Sequence, residues 1–278
     1  EHRDVTRLRQ TVDGLRKSLA MGAHAGVHVE DAAIHGSDAL GSSLVLAEAI
    51  KQTGLEQGVS LSVHAPYFFN LNATEEEWPK SRKRLMDAAH YGNLAGATDI
   101  IFHPGSYFER PPAEVLKVSV PRLKGCADEL KKKGNPVILR PETMGKSAML
   151  GSLEDTLEMS KAIKNVQPCL DFAHLHARPG DGTMNTAQEW TKLLEAYQAA
   201  LGKEALKNLH IHLSGIEYGP KGEKHHLALA ESDLKINFLF QVLREFECGG
   251  RILCESPIME DDALNMKKAW MKASGEKE

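Results

Sequence analysis

From residue 20 onward, short β-branched or apolar runs alternate with longer stretches whose apolar positions recur at helical spacing. The short runs predict strands at 24–30, 59–64, 99–103, 136–142, 167–171, 209–214 and 251–255. Helices are expected near 11–21, 42–54, 76–96, 113–133, 153–164, 186–201, 232–246 and 259–273. Thr74 ahead of Glu75, Glu76 and Glu77, and Ser152 ahead of Glu154 and Asp155, read as helix starts. Gly54, Gly96, Gly134 and Gly202 stand where helices should stop. Strands that alternate with helices imply parallel βαβ units. Seven visible strands point to an α/β chain folded as a (β/α)8 TIM barrel whose first strand is not evident, since residues 1–10 are mostly polar. A doubly wound sheet is weakened by the lack of a Gly-rich phosphate loop after any strand. Without a linker or composition shift, one barrel domain over residues 1–278 is expected.

Composition narrows the class. A 278-residue chain with 42% hydrophobic and 26% charged residues is neither a disordered chain nor a small disulfide scaffold. Its net charge of −4 gives no bulk basic field for nucleic acid, so any polyanion site must be local. Cys126, Cys169, Cys248 and Cys254 are widely spaced and form no CxxC motif. They read as buried thiols of a reducing compartment, hence a cytoplasmic protein. No apolar run is long enough for a membrane span, and no membrane partner is expected.

The chemistry lies in where the acids and many of the 13 histidines fall. His64, His103, Glu142, Asp171 with His174, His212 and Glu255 close six successive strand segments. In a parallel barrel, those ends open on one face, where catalytic groups collect. Alternation puts Ser62 with His64, Asp99 with His103, and His210 with His212 and Ser214, each set on one strand face. Imidazoles and carboxylates together suit Zn²⁺, Mn²⁺ or Fe²⁺. With the GPKGEKHH loop, which adds Glu223, His225 and His226, the chain offers about nine ligands, more than one ion needs. Closely spaced ions stabilise both oxygens of an in-line phosphoryl displacement, so phosphodiester or phosphomonoester hydrolysis is expected, with no Ser or Cys nucleophile.

The motifs VHAPY, FHPGS, PETMG, LDFAHLHAR, HIHLSGIEYGPKGEKHH and ILCESP, in this order between about residues 59 and 257, resemble the endonuclease IV family in its divergent archaeal-type form. The resemblance implies a (β/α)8 barrel with up to three divalent ions, usually Zn²⁺ with Mn²⁺ possible, that cleaves DNA at abasic sites in DNA repair. Carried over by motif, His64 and His103 bind the first ion. Glu142 is the catalytic bridge to a second, which Asp171, His212 and Glu255 complete. His174, Glu223 and His226 hold the third, with His225 the alternative to His226. Three departures stand out. Glu223 occupies a place where the family usually has Asp. Arg140 and Pro141 precede Glu142, a one-residue shift that calls for a bulge if the side chain is to point inward. The stretch EDAAIHGSD has no Arg, Gln or aromatic residue with which to enter DNA.

Tyr67, Asn70, Arg178, Lys221 and Lys224 are the candidate substrate contacts. Lys80, Arg82, Lys83, Arg84 and Lys131 to Lys133 read instead as solvated helix faces, and Trp78, Trp190 and Trp270 as packing residues. The alternative is a sugar isomerase or epimerase of the same barrel type. Glu142, Asp171, His212 and Glu255 would then hold a single ion, with His64, His103 and the EKHH loop left unexplained.

Overall fold

A computed structural model describes residues 39–273. The helix expected at 11–21 and the strand at 24–30 lie outside these residues. The described chain begins with α1 (Ala39–Gln57), and then strand and helix alternate: β1 (Leu61–His64), α2 (Trp78–Leu94), β2 (Ala97–Phe102), β3 (Gly105–Ser106), α3 (Pro112–Lys132), β4 (Ile138–Pro141) and β5 (Met149–Leu150). There follow α4 (Leu153–Ala162), β6 (Cys169–Asp171), α5 (Phe172–Ala177), α6 (Ala187–Leu201), β7 (Leu209–Leu213), β8 (Gly215–Gly219), β9 (Gly222–Leu227), α7 (Ile236–Glu245), β10 (Gly250–Cys254) and α8 (Glu260–Ala273). Among the described residues no helix is long and apolar enough to cross a membrane.

Six parallel strands make the inner layer of the described residues. β1–β2–β4 form one sheet and β6–β7–β10 another. Parallel bridges Leu139↔Val166 and Glu142↔Cys169 join β4 to β6, so the arc runs in chain order as a TIM barrel requires. Each strand is only three to six residues long, and the ladder continues one residue past several ends. The amides of Ala65, Glu142 and Glu255 donate to Ile101, Phe102 and Leu213. That extension fixes the direction of the residues at the rim.

Alternation then sorts the faces. Leu209, Ile211 and Leu213 of β7 join the apolar layer with Trp190, Tyr197, Leu239 and Phe240 of the outer helices. His210 and His212, on the other face, are fully buried in the barrel. On the floor, Arg140 is 1% exposed and donates from Nε to Asp99 at 2.6 Å, with Arg251 at 3.2 Å on the other carboxylate oxygen. The bulge expected near Glu142 is absent, because β4 pairs with β2 without a register break and Glu142 lies in phase with inward-facing Arg140. The register break falls instead between Leu61 and Ser62 of β1.

Local signals set the helix ends. Ser152 and Asp155 form a reciprocal capping box on α4, and Thr186 with Glu189 forms another on α6. The Thr74 signal lies a turn early: its carbonyl accepts from Trp78, where α2 starts. Gly54 does not end α1. The helix passes through it and stops at Gly58, whose φ of +66° supplies the left-handed turn, closed by Val59 N–H donating to Gly54 at 2.8 Å. Gly54 is small for packing, since a Cβ there would sit 3.2 Å from Leu61 Cδ1.

The segment expected as a turn-rich loop, GPKGEKHH, is mostly the second strand of an antiparallel hairpin, β8–β9. The short helix α5 and the two-stranded β3–β5 ribbon also lack a sequence period long enough to be read. Because Asp99 balances two buried or half-buried guanidinium groups, Asp99→Asn should lower unfolding free energy by about 3–5 kcal/mol in urea denaturation. Adding Arg140→Met in that background should recover part of the loss.

Candidate metal centre

Glu142 lies at the centre of the rim, 1% exposed, with its two oxygens turned to different groups of imidazoles. Oε2 is 3.1 Å from His64 Nε2 and 3.2 Å from His103 Nε2, while Oε1 is 2.8 Å from His212 Nδ1. His212 Nδ1 is also 3.0 Å from Glu255. Asp171 faces His212 across the β6–β7 pair and caps α5 by accepting from the His174 amide at 2.7 Å. That cap turns the first turn of α5 over the rim and brings His174 Nδ1 to 3.3 Å from Asp171. The hairpin delivers the remaining donors. His226 Nε2 is 3.3 Å from His174 Nε2, and Glu223 is 3.6 Å from the same nitrogen.

Three of these rings are anchored in the same way. His64, His174 and His226 each direct Nδ1 at a backbone carbonyl, of Ala65 (2.7 Å), Thr143 (2.9 Å) and Glu255 (3.1 Å). A carbonyl can only accept, so Nδ1 holds the proton and Nε2 is directed at the cluster. There it meets a carboxylate or another Nε2, neither of which offers a proton of its own. The inward lone pairs therefore need a proton or a cation between them. This is the arrangement of ligand histidines oriented by outer partners, and the donor set fits divalent metal. Three subsets converge closely enough for one ion each: His64, His103 and Glu142; Glu142, Asp171, His212 and Glu255; and Asp171, His174 and His226.

Electrostatics agree. Burial pushes the Glu142 carboxyl up, but His212, His103 and His64 outweigh it and hold the group well below the carboxylate range. Burial lowers the His174 imidazole, yet Asp171, Glu142 and Glu223 drive it up to about 9. Asp171 is pushed up to about 6 by burial, relieved only in part by His174. In the metal-free chain, protons supply the positive charge that the carboxylates require.

The structure separates the two candidate loop histidines. His226 points into the cluster, whereas His225 is exposed and pairs with Glu217 at 3.4 Å. Tyr67 stands at the mouth, 57% exposed, its ring 5.2 Å from His64 and 4.9 Å from His103. Lys221 is exposed at the hairpin turn, and Lys224 is paired with Glu217 at 2.7 Å. Two substrate candidates make hydrogen bonds within the protein. Arg178 donates to the carbonyls of Met144, Lys146 and Met149 and to Tyr107 Oη, so its guanidinium clasps the loop after β4 rather than a substrate. Asn70 accepts from Asn72 N–H at 2.8 Å in a local turn packed on Gly105, a structural task. Of the helix-face basic residues, Lys80, Lys83 and Lys131 to Lys133 are exposed, and Arg82 pairs with Glu129 and Lys80 with Glu77.

Sequence reasoning missed Gly145 and Lys146. Gly145 accepts from the Glu223 amide at 2.9 Å, and a Cβ there would sit 2.7 Å from Glu223 Cβ, so its smallness lets the hairpin dock. Exposed Lys146 forms an isolated bridge with Gly222 beside the turn. Gly145 closes the PETMG motif and Lys146 follows it, but their closeness to a hairpin more than seventy residues away leaves no trace in the sequence.

The profile of the xylose isomerase-like TIM barrel family matches residues 12–274. An uncharacterized protein of Methanocaldococcus jannaschii is 38% identical over 225 residues, 81% of this chain and 81% of its own. Endonuclease 4 of Thermus thermophilus is 30% identical over 223 residues, 77% of this chain and 76% of its own. Among solved structures, a D-tagatose 3-epimerase-like protein shares the fold with a TM-score of 0.66 at 19% identity, over 87% of this chain and 86% of its own. The named sequence relatives thus include endonuclease 4, and the fold is shared with an epimerase-like protein.

Two outcomes follow from the geometry. His226→Ala should lower the zinc bound after dialysis, measured by atomic absorption, whereas His225→Ala should leave it unchanged. Zinc uptake by the metal-free protein should release protons at neutral pH, because a ring held protonated up to about 9 must give up its proton to coordinate. Zinc affinity should therefore climb as pH rises toward 9, by about tenfold per pH unit for each proton displaced; competition titration with a chelator reads this directly.

Proposed function

The chain belongs to the xylose isomerase-like TIM barrel family, and on that premise we propose that it is a metal-dependent phosphodiester hydrolase that incises DNA at abasic sites. The observation behind this reading is the number of inward donors beyond one ion's need. Glu142, Asp171, His212 and Glu255 would serve a single-ion isomerase, but His64, His103, His174 and His226 converge on the same rim. Divalent ions at these donors, Zn²⁺ being the simplest choice, would polarise the scissile phosphate and activate water.

The protein's own part is position and charge. Glu142 presents one oxygen to the His64–His103 side and the other to His212, so a bridging role follows from its two faces. Asp171 and Glu255 flank His212 and supply negative charge on the second side. His174 and His226, with Glu223 beside them, are carried by α5 and the hairpin, so their spacing depends on the docking of that hairpin on Gly145. The exposed faces of Tyr67 and of neighbouring Phe68, 81% exposed, offer a surface on which an unpaired base or sugar can stack. Lys146 and Lys221 place positive charge at the edge of the rim, where a phosphate backbone would pass. This local charge serves a chain whose net charge is −4.

The test is an end-labelled duplex with one abasic site, incubated with zinc-loaded protein with and without a chelator. The expected result is a single incision that chelation abolishes and added zinc restores. No incision by folded, metal-loaded protein would overturn the reading, and epimerisation of a ketose by the same sample would establish the single-ion alternative. Replacing Lys146 and Lys221 together with Ala should raise KM with little effect on kcat. It should also make the slope of log affinity against log salt shallower, by about 0.9 for each phosphate that the variant no longer neutralises.

A further inference from the structure

A second group of donors lies inside the barrel, beneath the rim. Cys169 on β6 pairs in register with His210 on β7, and both face inward together with His212. The thiol and the two imidazoles each offer one ligand atom within 4.8 Å of the others, and all three residues are fully buried. The His210 and His212 rings lie 5.3 Å apart at 61°. Neither ring nitrogen of His210 has a hydrogen-bond partner. An unpartnered buried imidazole is costly, and such a group calls for an explanation.

We propose that Cys169, His210 and His212 form a buried site for a soft monovalent cation of the Cu(I) class, beneath the rim cluster and sharing His212 with it. The donor chemistry selects it. The three groups are a thiol and two imidazoles, without a carboxylate, and sulfur with imidazole prefers Cu(I) to Mg²⁺, Ca²⁺ or Mn²⁺. Charge points the same way. As the sulfur–metal bond forms, the thiol proton leaves to solvent, and a thiolate with a monovalent ion sums to zero. A divalent ion would leave net positive charge beside Arg140 and Arg251, two guanidinium groups that share the single carboxylate of Asp99. Bonds of about 2.0–2.3 Å put donors about 3.5 Å apart, so atoms that lie within 4.8 Å of one another would close by no more than about 1.3 Å.

The two sites share a ring. His212 directs Nδ1 at Glu142 and Glu255, so an ion on its other nitrogen draws on an imidazole that also serves the rim. A Cu(I)-loaded protein should therefore hold zinc at the rim more weakly. This inference stands whichever reaction the rim performs.

Anaerobic titration of the zinc-loaded 278-residue chain with Cu(I), against a chromophoric Cu(I) chelator, tests it. The wild type should retain one equivalent of Cu(I) and melt at a higher temperature, whereas Cys169→Ser and His210→Phe should retain none and show no rise. His210→Phe keeps the proposal testable if the cysteine variant fails to fold, because that ring makes no hydrogen bond whose loss would unfold the barrel. Absence of retention by the wild type overturns the proposal. So does retention that persists in both variants, or Cu(I) that displaces zinc one for one in all three proteins, since either result puts the ion on other donors.

Discussion

A carboxylate sealed from water at the centre of a barrel rim is the constraint around which this structure is organised. Glu142 is 1% exposed and meets three imidazoles within 3.2 Å. A buried charge is tolerable only when partners replace the water it has lost, and removing one partner leaves the rest uncompensated. The rim therefore cannot be varied one side chain at a time. His64, His103 and His212 arrive on three different strands, so their meeting depends on the register of the sheet rather than on any local geometry. Thr143 extends that stitching, donating from its hydroxyl to the Asp171 carbonyl while accepting from the Asp171 amide at 2.9 Å.

Two supporting layers hold the cluster from below and from the side. Below, Arg140, Asp99 and Arg251 tie β2, β4 and β10 across the barrel floor, which keeps the strand ends level. At the side, the β8–β9 hairpin is attached rather than woven in. It is held by the Gly145–Glu223 hydrogen bond, by the bridge from Lys146 to Gly222, and by Tyr218, whose hydroxyl donates to Asp233 at 2.7 Å. Asp233 in turn receives His176 of α5 at 3.0 Å. The strand ends supply His64, His103, Glu142, Asp171, His212 and Glu255, α5 supplies His174, and the hairpin adds His226 and Glu223. A fold can change chemistry by altering an attached element while the strands stay put.

Much of the fold was legible in the sequence because short strands leave a strong period-two signal and the intervening helices are long. All six described barrel strands fall at the positions that the alternation predicts, within a residue or two. The errors come from competition between local signals. Gly54 looked like a helix stop because glycine tolerates left-handed backbone, yet it serves close packing on Leu61 and the stop lies at Gly58. Arg178 and Asn70 stood out as substrate contacts because each follows a candidate ligand in the sequence, Arg178 after His174 and Asn70 after His64. Both instead satisfy backbone groups of loops that are distant or irregular in sequence.

By itself, the sequence determined which residues sit at strand ends and which face of each strand they share, since alternation along a strand needs no knowledge of its neighbours. It also determined the chemical type of the centre, because imidazoles and carboxylates were the residues repeated there. Tertiary structure alone decided which of them touch. That Glu142 and not another acid receives three histidines, that His226 and not His225 turns inward, and that Cys169 faces His210 all depend on inter-strand register and hairpin docking. These are relations between segments tens of residues apart, set by pairing and by steric fit at Gly145, and neither has a local period to reveal it.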